Sequence, residues 1–240
     1  MTLRFIPQYG RKSSGYTRRV PDQERGRGMR ADARLNRERI VAAARELVAE
    51  HGPDTTTEAV ARRARVGIGT VYRHFPDRAA LVRALALDSF QRVVDLARTA
   101  EDEEPTAWAA LSRFVLDAAD ELRLATWLSI WFASTWDELR ADPENRRLRR
   151  LFLAILDRVV RRAQHEGALR ADVAVDDVAL LLAALLRPIP GIPPAEAQRS
   201  ARRHLVLALD GLRAGGPASP CPSRASASPG RAATTRFEAS

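Results

Sequence analysis

Apolar residues recur three and four positions apart through most of the chain between positions 36 and 213, the spacing that gathers them on one face of an α-helix. Ala, Leu, Arg and Glu dominate that stretch, and no alternating Val/Ile/Thr run marks a strand, so the pattern predicts an all-α fold. A first helix is expected over 36–50, burying Ile40, Ala43, Ala44, Leu47 and Val48, with His51-Gly52-Pro53 as its stop signal. A second opens in Thr55-Thr56-Thr57. Thr55 and Glu58 have capping-box spacing, Thr56 serves equally as the cap, and Val60, Ala61 and Ala64 turn inward. A tight turn at Arg65-Val66-Gly67 leads into a third helix over 68–75, whose Val71 and Phe75 close a small core, and Pro76-Asp77 ends it.

Longer helices are expected to about 99, then over 106–122, 124–138, 144–166, 175–187 and 195–213, with Glu101-Asp102-Glu103-Glu104-Pro105 as a solvated acidic linker between the first two. Residues 178–186 are apolar nearly all round, which requires cover on several sides. A proline hinge at Pro188, Pro190, Pro193 and Pro194 joins the last two helices, and Leu205, Leu209 and Leu212 make a stripe on the last one, beside His204 and Ala208. Residues 1–33, rich in Arg, Gly and Ser, and 214–240, rich in Pro, Ser, Ala and Gly, are expected to be disordered. Met29 stands just before the first helical pattern and suggests a translation start there.

Charge sharpens this picture. Of the net +9, residues 1–33 carry +5 and 34–90 carry +3, whereas 91–213 carry −1 and 214–240 carry +2. A basic front on a nearly neutral body fits contact with an anionic polymer, and fits a solvated surface equally well. The one cysteine, Cys221, has no intrachain partner, and four scattered histidines offer no zinc set. The longest apolar run is far short of the roughly 20 residues that span a bilayer, and no secretory signal is visible, so a cytoplasmic protein without membrane contact, metal or cofactor is expected.

Three short helices, the second and third joined by a tight turn, make a helix-turn-helix, whose third member lies in the DNA major groove. Here the sequence resembles the DNA-binding domain of the TetR family of bacterial transcriptional regulators. The likeness is carried by Ile40-Val41-Ala42-Ala43-Ala44, Gly52, Val60-Ala61 and Val66-Gly67-Ile68-Gly69-Thr70-Val71-Tyr72-Arg73-His74-Phe75, then Arg78 and Leu81. More loosely, residues 166–173 are similar to the break before the penultimate helix in many members. The resemblance implies a helix-turn-helix domain at 34–85 and a larger helical effector-binding and dimerisation domain at 86–213.

Phosphate contacts position a protein on DNA and base-edge contacts specify sequence. Thr56 and Thr57, at a helix N-terminus, suit a phosphate and suit plain capping equally. With Val71 and Phe75 inward, Ile68, Gly69, Thr70, Tyr72, Arg73 and His74 are left toward the groove. By resemblance Tyr72, His74 and Arg78 position phosphates and Thr70 contacts the groove. Arg73 is the only side chain of this helix able to grip a guanine edge with two hydrogen bonds. Arg65 stands where the family usually has glycine, and a left-handed backbone there costs about 1 kcal/mol. Gly67-x-Gly69 is not a dinucleotide loop, since Tyr72 replaces the third glycine and a helix precedes it.

Trp108, Phe114, Trp127, Trp131, Phe132, Trp136 and Phe152 cluster along the middle of the chain. Aromatics in a bundle are core or pocket, and the resemblance, whose members bind small effectors in this domain, points to a pocket. It also implies a homodimer through helices 175–187 and 195–213, with paired recognition helices reading a palindromic operator that the effector releases. The competing classes are an all-helical enzyme, for which no Glu-x-x-His pair or nucleophile triad is present, and a non-specific basic DNA-coating protein.

Overall fold

The helical spacing is realised through both halves of the chain. A computed structural model describes residues 22–189, 191–192 and 194–215. Among the described residues every regular element is a helix, and the only strand-like feature is an isolated bridge between Leu169 and Arg213. In chain order the α-helices are α1 (Asp22–His51), α2 (Thr57–Ala64), α3 (Ile68–His74), α4 (Arg78–Glu103), α5 (Ala107–Asp117), α6 (Ala119–Trp131), α7 (Ala133–Ala141), α8 (Pro143–His165), α9 (Val175–Leu185) and α10 (Pro194–Leu212). None is long and apolar enough to cross a membrane.

α1 begins well before the predicted start at residue 36, running through Met29 and into the segment expected to lack structure. From Met29 to Leu35 the added segment carries good helix formers in Met29, Arg30, Ala31, Ala33, Arg34 and Leu35, whereas Gly26 and Gly28 before it give the extension no support from propensity. Burial begins only at Ile40, since residues 31–39 are exposed apart from half-buried Asn36. The rest of the expected basic arm, residues 1–21, and the tail from 216 onward lie outside the described residues, as do Pro190 and Pro193 of the hinge.

Two other boundaries moved. The helix expected over 106–122 breaks at Ala118, and the one expected over 124–138 breaks at Phe132, whose backbone leaves the helical region at φ −126°, ψ 50°. Neither position is Gly or Pro, so no local signal announces the breaks; Ala118, fully buried and small, lets α5 and α6 pack closely at their junction. The acidic stretch is not a solvated linker. α4 continues to Glu103, Glu101 takes two hydrogen bonds from Arg158 of α8 at 2.6 and 2.8 Å, and Arg113 of α5 bridges Glu103 and Glu104 at 2.9 and 3.0 Å.

Two hydrophobic cores result, joined by α4, which crosses the expected domain boundary at 85/86 without interruption. One holds α1, α2, α3 and the front of α4 around Ile40, Val60, Val71 and Leu85. It also takes Leu124 and Leu128 from α6 and Leu139 from α7. The other is built from the rear of α4 with α5, α8, α9 and α10. Leu205 and Leu209 of the expected stripe are buried in this second core at 0% and 6% exposure. The opposite side of α10 instead leaves Val206 and Leu207 exposed, as α9 leaves Leu180.

Candidate nucleic-acid interface and effector cavity

The helix-turn-helix is assembled from local signals. Thr56 is the N-cap of α2, its hydroxyl accepting from the Ala59 amide at 3.2 Å, while Thr55 donates back to the Gly52 carbonyl at 2.9 Å. Thr56 rather than Thr55 is therefore the cap. Arg65 closes α2 in the left-handed region at φ 57°, ψ 42°, its amide reaching the carbonyls of Ala61 and Arg62. Gly67 opens α3, and Asp77 caps α4 by accepting from the Ala80 amide at 2.6 Å.

Burial sorts α3 into two faces. Val71 and Phe75 are sealed at 0% and 3% exposure, whereas Ile68, Gly69, Tyr72 and Arg73 are exposed and Thr70 half-buried. Arg73 has no ion-pair partner among the described residues, so its guanidinium is available to a ligand. His74 is half-buried, its ring tilted against Phe75 at 6.3 Å. Thr56 is exposed and Thr57 half-buried at the N-terminus of α2. Arg78 is exposed, donates to the Pro53 carbonyl, and holds its guanidinium over the Phe132 ring at 5.0 Å. It ties the front of α4 to the turn after α1 and to the α6–α7 junction. Arg63 is likewise occupied, held by Glu46 and Glu50, whose hydrogen bonds push its pKa up.

The aromatic residues do not line one pocket. Among those whose side chains are described, Phe152 alone borders a cavity of about 350 Å³ that lies between α4, α6, α7, α8 and α9. Phe114 packs against Phe152 from the core at 5.6 Å. Trp127 is buried, its Nε1 donating to the Leu186 carbonyl at 3.1 Å, with Arg123 over its face at 4.5 Å and Trp131 edge-on at 4.9 Å. Trp131 leans on Gly52, Phe132 lies beneath Arg78, and Trp108 beneath Arg213 at 4.9 Å. The side chain of Trp136 lies outside the described residues.

Mostly apolar helix faces line the cavity instead: Leu122, Ala125, Thr126 and Ser129 of α6, and Ala179, Leu182 and Ala183 of α9 with its C-cap Leu186, while exposed Leu180 lies at the rim. Both sets repeat at i, i+3, i+4, i+7, a signal present in the sequence that aromatic content overshadowed. The opposite side of α6 faces the DNA-binding core through Leu124 and Leu128. Polar contacts follow the same route. Arg45 of α1 pairs with Asp88 of α4 and with Glu121 of α6 at 3.6 Å, and Ser89 donates to Glu121 at 2.7 Å. Burial depresses the Arg45 pKa, and Glu121 opposes that fall.

A three-helix domain presenting α3 outward, fused to a helical body with a partly open cavity, defines a helix-turn-helix DNA-binding protein. Residues 40–85 match the model of the bacterial regulatory proteins of the tetR family, and residues 105–214 match that of the SbtR-like transcriptional regulator C-terminal domain. The chain belongs to the TetR family of transcriptional regulators. Among solved structures it is similar to a TetR transcription regulatory protein from Mycobacterium vanbaalenii, at 34% identity and TM-score 0.58, covering 77% of this chain and 99% of that one. It is also similar to the TetR transcriptional regulator SCO0520 from Streptomyces coelicolor, at 29% identity and TM-score 0.56, covering 75% and 99%. The uncharacterized HTH-type transcriptional regulator TtgW of Pseudomonas putida is 37% identical over 89 residues, which are 37% of this chain and 66% of that relative.

Proposed function

We propose that this regulator is a cytoplasmic, non-enzymatic repressor that binds a palindromic operator as a homodimer and is released from it by a small molecule in the α6–α9 cavity. The observation that carries this reading is the position of α6, one side of which lines the cavity while the other is built into the DNA-binding core. An effector that fits one placement of α6 better than another shifts the DNA-binding domain by its differential affinity for the two forms. Direct readout falls to Arg73, with Tyr72, His74 and the α2 N-terminus at Thr56 and Thr57 placing the phosphates, and Ile68, Gly69 and Thr70 against the groove. The exposed Val206 and Leu207 of α10, with Leu180 of α9 at the rim of the cavity, support a partner copy seated on α9 and α10. Two recognition helices about 34 Å apart then meet successive major grooves.

The test is selection from a random duplex library at near-physiological salt, followed by competition binding with the wild type and Arg73→Ala. An enriched palindrome is expected, with Arg73→Ala losing about 1–3 kcal/mol of discrimination at one base pair per half-site. Binding without sequence preference that collapses as salt rises overturns operator recognition in favour of generic association.

A further inference from the structure

The cavity wall is largely apolar, and Arg140 of α7 and Arg149 of α8 are the charged residues that border it. Among the described residues no Asp or Glu lines it. Neither guanidinium has an ion-pair or hydrogen-bond partner among the described residues, in a chain where Arg113, Arg147, Arg158, Arg161 and Arg162 are all held by carboxylates. The two hydroxyls on the wall are already committed to their own helix: Thr126 donates to the Leu122 carbonyl at 2.8 Å and Ser129 to the Thr126 carbonyl at 2.6 Å. Arg140 and Arg149 are therefore the strong donors left facing the cavity. They also disfavour one another, since partial removal from water and then the charge of Arg140 both lower the pKa of Arg149. A pair of like charges beside an apolar space is relieved by an anion whose body fills that space.

We propose that the cavity takes an amphipathic organic carboxylate, its apolar body lodged between α6 and α9 against Phe152 and its carboxylate held by Arg140 and Arg149. This rests on reading the cavity as the effector site and adds the ligand's chemical class. The volume lies at the small end of the range for ligand pockets, which suits a medium-length chain or a two-ring body.

The test uses matched pairs: decanoate with decanol, and 2-naphthoate with 2-naphthylmethanol, titrated calorimetrically into the full-length wild type and into the double variant Arg140→Gln/Arg149→Gln. Helical circular dichroism is checked first, and both substituted positions are surface-exposed, so a folded variant is expected. In the wild type at least one carboxylate is expected to bind about tenfold or more tightly than its alcohol, a preference the double variant reduces to within about twofold. Equal affinities within both pairs, a preference that survives in the double variant, or no binding by any of the four overturns the proposal.

DNA release, measured on the duplex enriched above, is scored separately. A carboxylate that binds through the arginines without releasing DNA leaves the ligand class standing and refutes control through the cavity. Release by carboxylate and alcohol alike refutes the class and leaves the control intact.

Discussion

Leu128 offers the sharpest test of the claim that α6 belongs to both halves of the molecule. It is fully buried, at 0% exposure, in the core that contains Ile40, Val60, Val71 and Leu85 of the DNA-binding domain. Leu128→Ala removes three carbons from that core, about 2.4 kcal/mol at about 0.8 kcal/mol per buried carbon. Helices on several sides prevent full collapse, and the remaining void raises the expected loss to about 3–5 kcal/mol. Leu111→Ala is the control, because Leu111 is equally buried but lies in the other core, remote from the DNA-binding helices. Urea unfolding followed by circular dichroism gives the magnitude of each loss, and hydrogen exchange gives its location. Leu128→Ala is expected to lower protection in α1 and α2 as well as α6, whereas Leu111→Ala lowers it in α5 and α8 first. A loss below about 1 kcal/mol for Leu128→Ala, or unchanged protection in α1 and α2, refutes the shared-core argument.

Three further outcomes follow from local geometry. Gly52→Ala forces a β-carbon onto a backbone at φ +66° and sets it 3.2 Å from Trp131 Cη2, so thermal unfolding is expected to show a loss of about 1–3 kcal/mol. Arg65→Gly relieves the left-handed strain at φ 57° and is expected to raise stability by up to about 1 kcal/mol, and a fall would mean that the turn is held by the arginine side chain. Arg63 and Arg147 hold the carboxyls of Glu50 and Glu144 below the ordinary Glu range. Their stabilisation is therefore present above a pH of about 4.3 and fades as pH falls through the lowered values. Urea midpoints of Glu50→Gln and Glu144→Gln are expected to approach the wild-type midpoint on acidification, and a gap that widens refutes the sign.

Much of the DNA-binding half was legible because its instructions are local. The inward spacing of Val71 and Phe75, the threonine cap, the glycine stop at 52 and the proline after α3 each act within one turn of the residue that carries them, and the family resemblance rests on the same short run. The left-handed Arg65 was foreseeable for that reason too. Local spacing also predicted most later helices, though not the breaks at Ala118 and Phe132. Those depend on how buried helices meet rather than on a breaking residue. Helix α1 shows the converse, since it runs past the start of the buried stripe, through exposed residues that no packing holds.

The cavity depended on tertiary structure for a different reason. Its walls join residues from Phe90 to Leu186, and its two free arginines come from different helices, so no window of sequence contains the site. Aromatic content pointed to Trp108, Trp127, Trp131 and Phe132, yet each spends its ring on a core, a glycine or an arginine elsewhere. Leu205 and Leu209 make the same point: their stripe was plain in the sequence, but a stripe states only that something covers it. Periodicity determines which face of a helix must be buried, whereas the packing of the helices against one another decides what buries it, because hydrophobic burial is non-directional and any complementary apolar face will serve.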